Sequence, residues 1–304
     1  MSMSLFSCAR ADFHRCLIEG QTLSTSGFSK FSESFIASNA DSGQKMSVKV
    51  ANLLAEKIAS NVGSTIVRRE KKKEGQTLGN EFEDHCANFL SSTFDSLQHL
   101  RPGTWVIEKV GGRSEGMIGK YEQYSHLSDL NRLAKEHDEL RAFLGEGYII
   151  APDVVIARKP ESDEALNLNA IIVDEKSCLK AKLRAKNHEG DNAPNLILHA
   201  SVSCKFTMRS DRAQNTRTEA LNLIRSRKGR SPHIVSLTAE PTPSRIASLA
   251  LGTGDMDCVY HFALYELVEA LRELDYEDAL DTLEMMIEGK RVKDISDLPL
   301  DLAV

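Results

Sequence analysis

The sequence predicts an α/β fold: a mixed central β-sheet flanked by helices. Two observations carry this. From residue 148 onward, short β-branched runs alternate with helical stretches, as expected of strands and helices layered around one sheet. The 304 residues, 41% hydrophobic and 27% charged, are enough to bury roughly three quarters of the unfolded surface, and no repeat or low-complexity linker divides them.

Taken in order, residues 1–45 are Ser-rich and weakly periodic, an N-terminal arm with room for one helix. Lys71, Lys72 and Lys73 read as a solvated loop. Phe82, Cys86, Phe89, Leu90, Phe94 and Leu97 recur at helical spacing, with Asn80 placed as N-cap and Glu83 closing a capping box. A second helix falls within 127–144, ended by Gly145 and Gly147. Four runs read as strands: 148–157, 169–174, 196–206 and 233–238. A helix between the last two starts with Ser210 as its cap and ends by Gly229, and two more helices follow residue 260.

No stretch approaches the roughly 18 apolar residues of a membrane span, and the opening MSMSLFSCARADFHRC lacks the apolar centre of a secretory signal. The six cysteines are scattered, without C-x-x-C or zinc spacing. A reducing cytoplasm and no membrane partner are expected. Net charge is −6, which alone speaks against a polyanionic partner. Its distribution reverses that: Lys205–Arg230 holds eight basic and two acidic residues, a local +6 that leaves −12 for the rest.

One constellation suits phosphodiester hydrolysis, which needs a divalent cation held by fixed carboxylates and an ammonium group near the nucleophile. Asp153 follows Pro152 inside a strand pattern, where proline marks an irregularity beside which a carboxylate can face a cleft. Two lysine motifs compete to complete the site. Asp174-Glu175-Lys176 is the literal acid-x-Lys match; Ser203-Cys204-Lys205 is the looser one, at a strand end directly before the basic island. On a strand Ser203 and Lys205 share a face and Cys204 opposes them. Serine is a poor Mg²⁺ ligand, a deficit that Glu219, fourteen positions after Lys205, can repair. On pattern alone the two lysines are nearly tied.

The segments GNEFE (79–83), QHLRPG (98–103), APDVVIAR (151–158), HASVSCKFTMRSDRAQN (199–215), SRKGRSPHIV (226–235), TAEPTPSRIASLALGTGDMDCVYHFALYEL (238–267) and RVKDISDLPLDLAV (291–304) resemble the type II restriction endonucleases that cut sites with a CCGG core, a branch of the PD-(D/E)xK nuclease superfamily. The resemblance covers most of the chain from about Gln76 and is poor over the first 35 residues, the lysine run near 71 and about 160–195. It implies a restriction-endonuclease-like core and one restriction endonuclease domain over 1–304, with an arm over 1–45 and a catalytic and recognition core over 75–304. It also breaks the tie between the lysines: in the related enzymes a serine stands where the motif acid is expected and a carboxylate from the following helix replaces it, matching Ser203 and Glu219. Carried over by position, Asp153 and Glu219 bind Mg²⁺, Cys204 contributes its backbone carbonyl, Lys205 orients or activates the water, Ser203 supports the site and Glu83 is a further active-site acid. Asp174 and Lys176 become surface residues.

The tetrad Arg209-Ser210-Asp211-Arg212 matches the bases such a core presents. Each half-site offers guanines that accept bidentate arginine bonds and cytosines whose N4 donates to an aspartate, and a helix start is suited to approach a groove. The resemblance further places Gln76 in the minor groove, and Asp41 and Arg245 at an outer G·C pair. The implied enzyme cleaves double-stranded DNA at G^CCGGC with Mg²⁺, leaves 5′ CCGG overhangs, assembles as a homotetramer, a dimer of dimers, and works beside a cognate DNA methyltransferase. The rival is a sequence-specific DNA-binding protein without nuclease activity. A nucleotide hydrolase is disfavoured by the lack of G-x-x-x-x-G-K-[ST].

Overall fold

The computed structural model describes residues 3–29, 31, 34–110, 117–137, 139, 152–187, 195–208, 210–252 and 254–304. They form two compact units: 1–101, 202–218 and 234–304 make the first, 102–201 and 219–233 the second.

The first unit opens with α1 (Leu5–Glu19), whose start is capped by the Ser4 hydroxyl accepting from the Ser7 N–H and whose inner face buries Phe13, His14, Leu17 and Ile18. Strands β1 (Thr25–Phe28) and β2 (Phe35–Ala37) pair antiparallel. Helix α2 (Lys45–Asn61), which the sequence reading did not anticipate, buries Val48, Ala51, Leu54, Ala55 and Ile58. β3 (Arg68–Arg69) then lies parallel to β1, giving a small three-stranded sheet in the order β2-β1-β3. Lys71, Lys72 and Lys73 lie in a loop as expected, the first two exposed, but the Lys73 ammonium is not left to solvent: it reaches Glu81 at 2.7 Å and the Gly20 carbonyl at 2.9 Å. Helix α3 spans Gly75–Phe94. It starts five residues before Asn80, so the expected capping box with Glu83 does not form; both residues lie in the helix interior. The cause is Leu78, buried one turn before Phe82, which extends the apolar stripe and with it the helix.

The second unit contains β4 (Trp105–Lys109), single helical turns at Met117–Lys120 and Glu122–Tyr124, α4 (His126–Glu136), β5 (Val154–Arg158) and the short α5 (Asp163–Leu166). β4 and β5 are antiparallel, Trp105 opposite Arg158. The expected strand over 148–157 is thus observed from Val154; residues 148–151 and the predicted helix stop at Gly145 and Gly147 lie outside the described residues. Residues 169–174 do not form the predicted strand. The Asn167 side chain accepts from the N–H groups of Ile172 and Val173 and donates to the Val173 carbonyl, a local turn that takes the bonds a ladder would need. Ile171 and Ile172 are left 87% and 62% exposed.

β6 (Ile197–Lys205) runs on into helix α6 (Ser210–Ser226). Ser210 is the first helical residue, and Gly229, three positions past the helix end, takes the left-handed φ of +84° that turns the chain toward β7. β7 (His233–Thr238) has the bounds expected. α7 (Pro243–Ala250) and β8 (Cys258–His261) were not foreseen; α8 (Leu264–Glu273) and α9 (Glu277–Glu288) are the two late helices, followed by β9 (Val292–Asp294) and α10 (Leu298–Asp301). The large sheet has the order β4-β5-β6-β7-β8-β9. Its β4–β5 pair is antiparallel and β7, β8 and β9 are parallel, so the fold is α/β with a mixed central sheet, as read from the sequence. Among the described residues no helix is long and apolar enough to cross a membrane.

Candidate active site and base-reading residues

The end of β6 alternates as its sequence dictates. Val202 and Cys204 are buried, while Ser203 and Lys205 are half-buried, so the serine and the lysine share one face. The neighbouring strand pins this backbone: the Ser236 hydroxyl donates to the Ser203 carbonyl at 3.0 Å, and the Lys205 carbonyl accepts from the Thr238 hydroxyl at 2.9 Å and the Ala239 N–H at 3.2 Å. Lys205 therefore starts from a main chain held at both of its flanks. Glu83 lies in α3 beside Phe82, whose ring sits 5.5 Å from that of Phe206, the residue after Lys205.

Asp153 occupies a bend just before β5, half-buried, with its carbonyl accepting from Val110 at 2.9 Å. Pro152 and Asp153 thus precede the strand and do not lie inside it as the sequence suggested, and the missing N–H of Pro152, two residues before β5, falls outside the strand. Glu219 is half-buried on α6, next to the buried Ala220. Asp153 and Glu219 belong to the second compact unit; Glu83, Ser203, Cys204 and Lys205 belong to the first. Among the described residues no three His, Cys, Asp or Glu side chains gather into a metal cage. The ligand set implied by resemblance needs only two carboxylates and a carbonyl, hard oxygen donors of the kind Mg²⁺ accepts while keeping several waters. Burial of the Cys204 side chain on the opposite face leaves its carbonyl as the donor it can offer.

The rival motif has no such setting. Asp174, Glu175 and Lys176 are all exposed, and Asp174 is occupied in a turn: its carboxylate accepts from the Lys176 N–H at 2.8 Å and its own N–H donates to Ser177. Hydrogen bonds within that turn hold its carboxyl below the usual range.

Of the base-reading candidates, Arg209 lies outside the described residues, and Ser210 and Asp211 form the first helical positions of α6. Arg212 is exposed, its guanidinium donating to the Thr207 hydroxyl at 2.8 Å. Gln76 is exposed as the second residue of α3. Asp41 and Arg245, over two hundred positions apart in sequence, are joined in a salt bridge of 2.5 Å. Sequence reasoning missed the acid behind them. Glu240, 1% exposed, accepts from the Met208 N–H at 2.8 Å and the Thr242 N–H at 3.2 Å and lies 3.7 Å from Arg245. Burial pushes its carboxyl up, opposed by those two N–H groups and the Arg245 charge. The available signal was an acid directly after the apolar run HIVSLTA.

Comparison with known proteins agrees with the resemblance. The model of the NgoMIV restriction enzyme family matches residues 13–304. The type II restriction enzyme NgoMIV of Neisseria gonorrhoeae is 50% identical over 300 residues, 99% of each chain. The crystal structure of the type IIF restriction endonuclease Bse634I with cognate DNA aligns to 87% of this chain and 91% of its own, with TM-score 0.37 and 15% identity. The chain belongs to the NgoMIV family of type II restriction endonucleases.

Proposed function

We propose that this enzyme hydrolyses both strands of double-stranded DNA at G^CCGGC with Mg²⁺, leaving 5′-phosphate ends and 5′ CCGG overhangs. The observation that carries the reading is the β6–α6 junction: a lysine and a serine on one face of a pinned strand end, four residues before the first of the arginines that suit guanine. Asp153, Glu219 and the Cys204 carbonyl are the proposed Mg²⁺ ligands, and Glu83 is an acid supporting them. When bound, the ion lowers the pKa of the attacking water and offsets charge on the phosphorane. Lys205 orients that water and stabilises the hydroxide it becomes. Ser203, on the same face, supports the lysine. Arg209 and Arg212 donate to guanine O6 and N7, Asp211 accepts from cytosine N4, and Ser210 opens the helix that presents them. Asp41 and Arg245 read the outer G·C pair from the major groove, and Gln76 reaches the minor groove.

A palindromic site calls for a two-fold assembly, and the proposed form is a homotetramer of two dimers engaging two sites. Its companion is a DNA methyltransferase that protects the host genome. The test is digestion of a plasmid bearing several GCCGGC sites with Mg²⁺, with the ends mapped by sequencing. Discrete fragments with four-base 5′ extensions are expected. Specific binding without any cleavage would sink the catalytic assignment, and cutting at every CCGG regardless of flanks would sink the outer pair.

A further inference from the structure

We propose that Glu240 is a positioning residue that couples recognition of the outer base pair to placement of the core-reading helix. The proposal rests on the reading of Asp41, Arg245 and the α6 start given above.

One carboxylate touches both parts. Glu240 Oε2 accepts from the main-chain N–H of Met208, thirty-two positions earlier and immediately before the Arg209–Arg212 tetrad. The same oxygen lies 3.7 Å from Arg245 Nη1, whose Nη2 is bound to Asp41 at 2.5 Å. Met208 itself is buried, so its N–H is an obligatory donor with no access to water. The Glu240 main chain is tied to the catalytic side as well: its N–H donates to the Thr238 hydroxyl at 3.1 Å, and that hydroxyl donates to the carbonyl of Lys205. Three consecutive residues, Thr238, Ala239 and Glu240, thus hold the proposed catalytic lysine, the entrance to the reading helix and the outer-pair arginine.

Both carboxylate oxygens are used, Oε2 by the Met208 N–H and Oε1 by the Thr242 N–H, so a glutamine, with one acceptor oxygen, leaves one of the two donors unmet. Burying the carboxylate costs free energy that the arginine and the directed N–H donors offset. Arg245 is held between two carboxylates, Glu240 near its Nη1 and Asp41 on its Nη2. When Arg245 moves to meet an outer guanine, the carboxylate that holds Met208 feels the displacement. A wrong outer pair leaves Arg245 on Asp41 and the helix start out of register.

The test compares Mg²⁺-dependent cleavage by the full-length enzyme of three duplexes: GCCGGC, ACCGGT, and a G·C-flanked site with an altered core. For Glu240→Gln, the preference for GCCGGC over ACCGGT should fall about tenfold or more, while the preference over the altered core changes far less. A merely structural role would lower all three rates together, and the melting temperature with them. Glu240→Asp, which keeps the charge but shortens its reach to Met208, is run alongside and should show the same selective loss. In a double-mutant cycle, adding Glu240→Gln to Asp41→Asn should lose little further outer-pair discrimination, because both act through Arg245. An unchanged outer ratio in both Glu240 variants, equal loss of both ratios, or fully multiplicative effects overturns the coupling. A wild-type enzyme that does not distinguish GCCGGC from ACCGGT overturns the underlying reading instead, and the wild-type arm alone reveals it.

Discussion

At the scale of single residues, burial and main-chain geometry favour one of the two candidate lysines. Lys176 is the better match to a motif, yet it rides an exposed turn in which its own N–H donates to the Asp174 carboxylate. Lys205 is half-buried on a strand whose carbonyl is fixed by two donors. Lys205→Ala should abolish cleavage of a GCCGGC plasmid while specific binding, measured by gel shift, persists; Lys176→Ala should cut like the wild type. The reverse outcome would move the active site. Arg212 tests the reading function in the same way. It is exposed on the first turn of α6, its guanidinium donating to Thr207, and its replacement by alanine should cost roughly 1–3 kcal/mol of discrimination at one guanine. Equal weakening on specific and random duplexes would make Arg212 a phosphate contact.

At the scale of elements, helix α3 and strand β6 depend on each other through aromatic packing. Phe82 is fully buried, with Phe206 at 5.5 Å, Phe13 at 6.3 Å and Phe262 at 6.5 Å between ring centroids. Phe82→Ala removes the ring shared by all three, and a loss of about 3–5 kcal/mol is expected in urea unfolding, with cleavage falling too, because Phe206 follows Lys205. A change below about 1 kcal/mol would mean that the cluster collapses around the gap. Phe82 was legible from helical spacing, and β7 was legible from HIVSLT to the residue, since apolar periodicity and β-branching are properties of the segment itself. The start of α3 was not: Asn80 and Glu83 match a cap, but the buried Leu78 upstream outweighs that local preference. The run NAIIVD failed for a related reason, because one asparagine at 167 offers its backbone other hydrogen bonds. The geometry around the proposed site was legible where one segment carries it, as in the face that Ser203 and Lys205 share. It was hidden where distant segments meet: nothing in the local sequence of Glu240 announces that Met208 donates to it.

At the scale of the molecule, the first compact unit gathers both ends of the chain, and a buried ion network joins them. Arg10 of α1 makes paired bonds to Glu266 at 2.9 and 2.5 Å and to Asp294 at 2.8 and 2.9 Å. Burial pushes the Glu266 carboxyl up, but the Arg10 guanidinium outweighs it and holds the group at about 2. Nearby, burial holds His261 down at about 4, against an ordinary 6.5. Both shifts oppose folding in acid. His261 stays neutral in the folded chain while the unfolded chain takes its proton near pH 6.5, so its contribution, on the order of 3 kcal/mol, is present above that pH and lost as pH falls toward 4. The Glu266 contribution is present above about 4.5 and lost as pH falls toward 2. The urea midpoint should therefore decline in two steps below neutrality. His261→Gln should shrink the upper step, to which the buried His14, also held down by burial, contributes as well, and leave the lower one. Arg10→Ala leaves Glu266 and Asp294 buried without their cation and should cost about 3–5 kcal/mol at pH 7. Because the orphaned Glu266 then gains a proton more readily than its unfolded counterpart, the lower step should disappear or invert in that variant. A midpoint that falls in parallel with the wild type down to pH 3 would show that the network does not control acid stability.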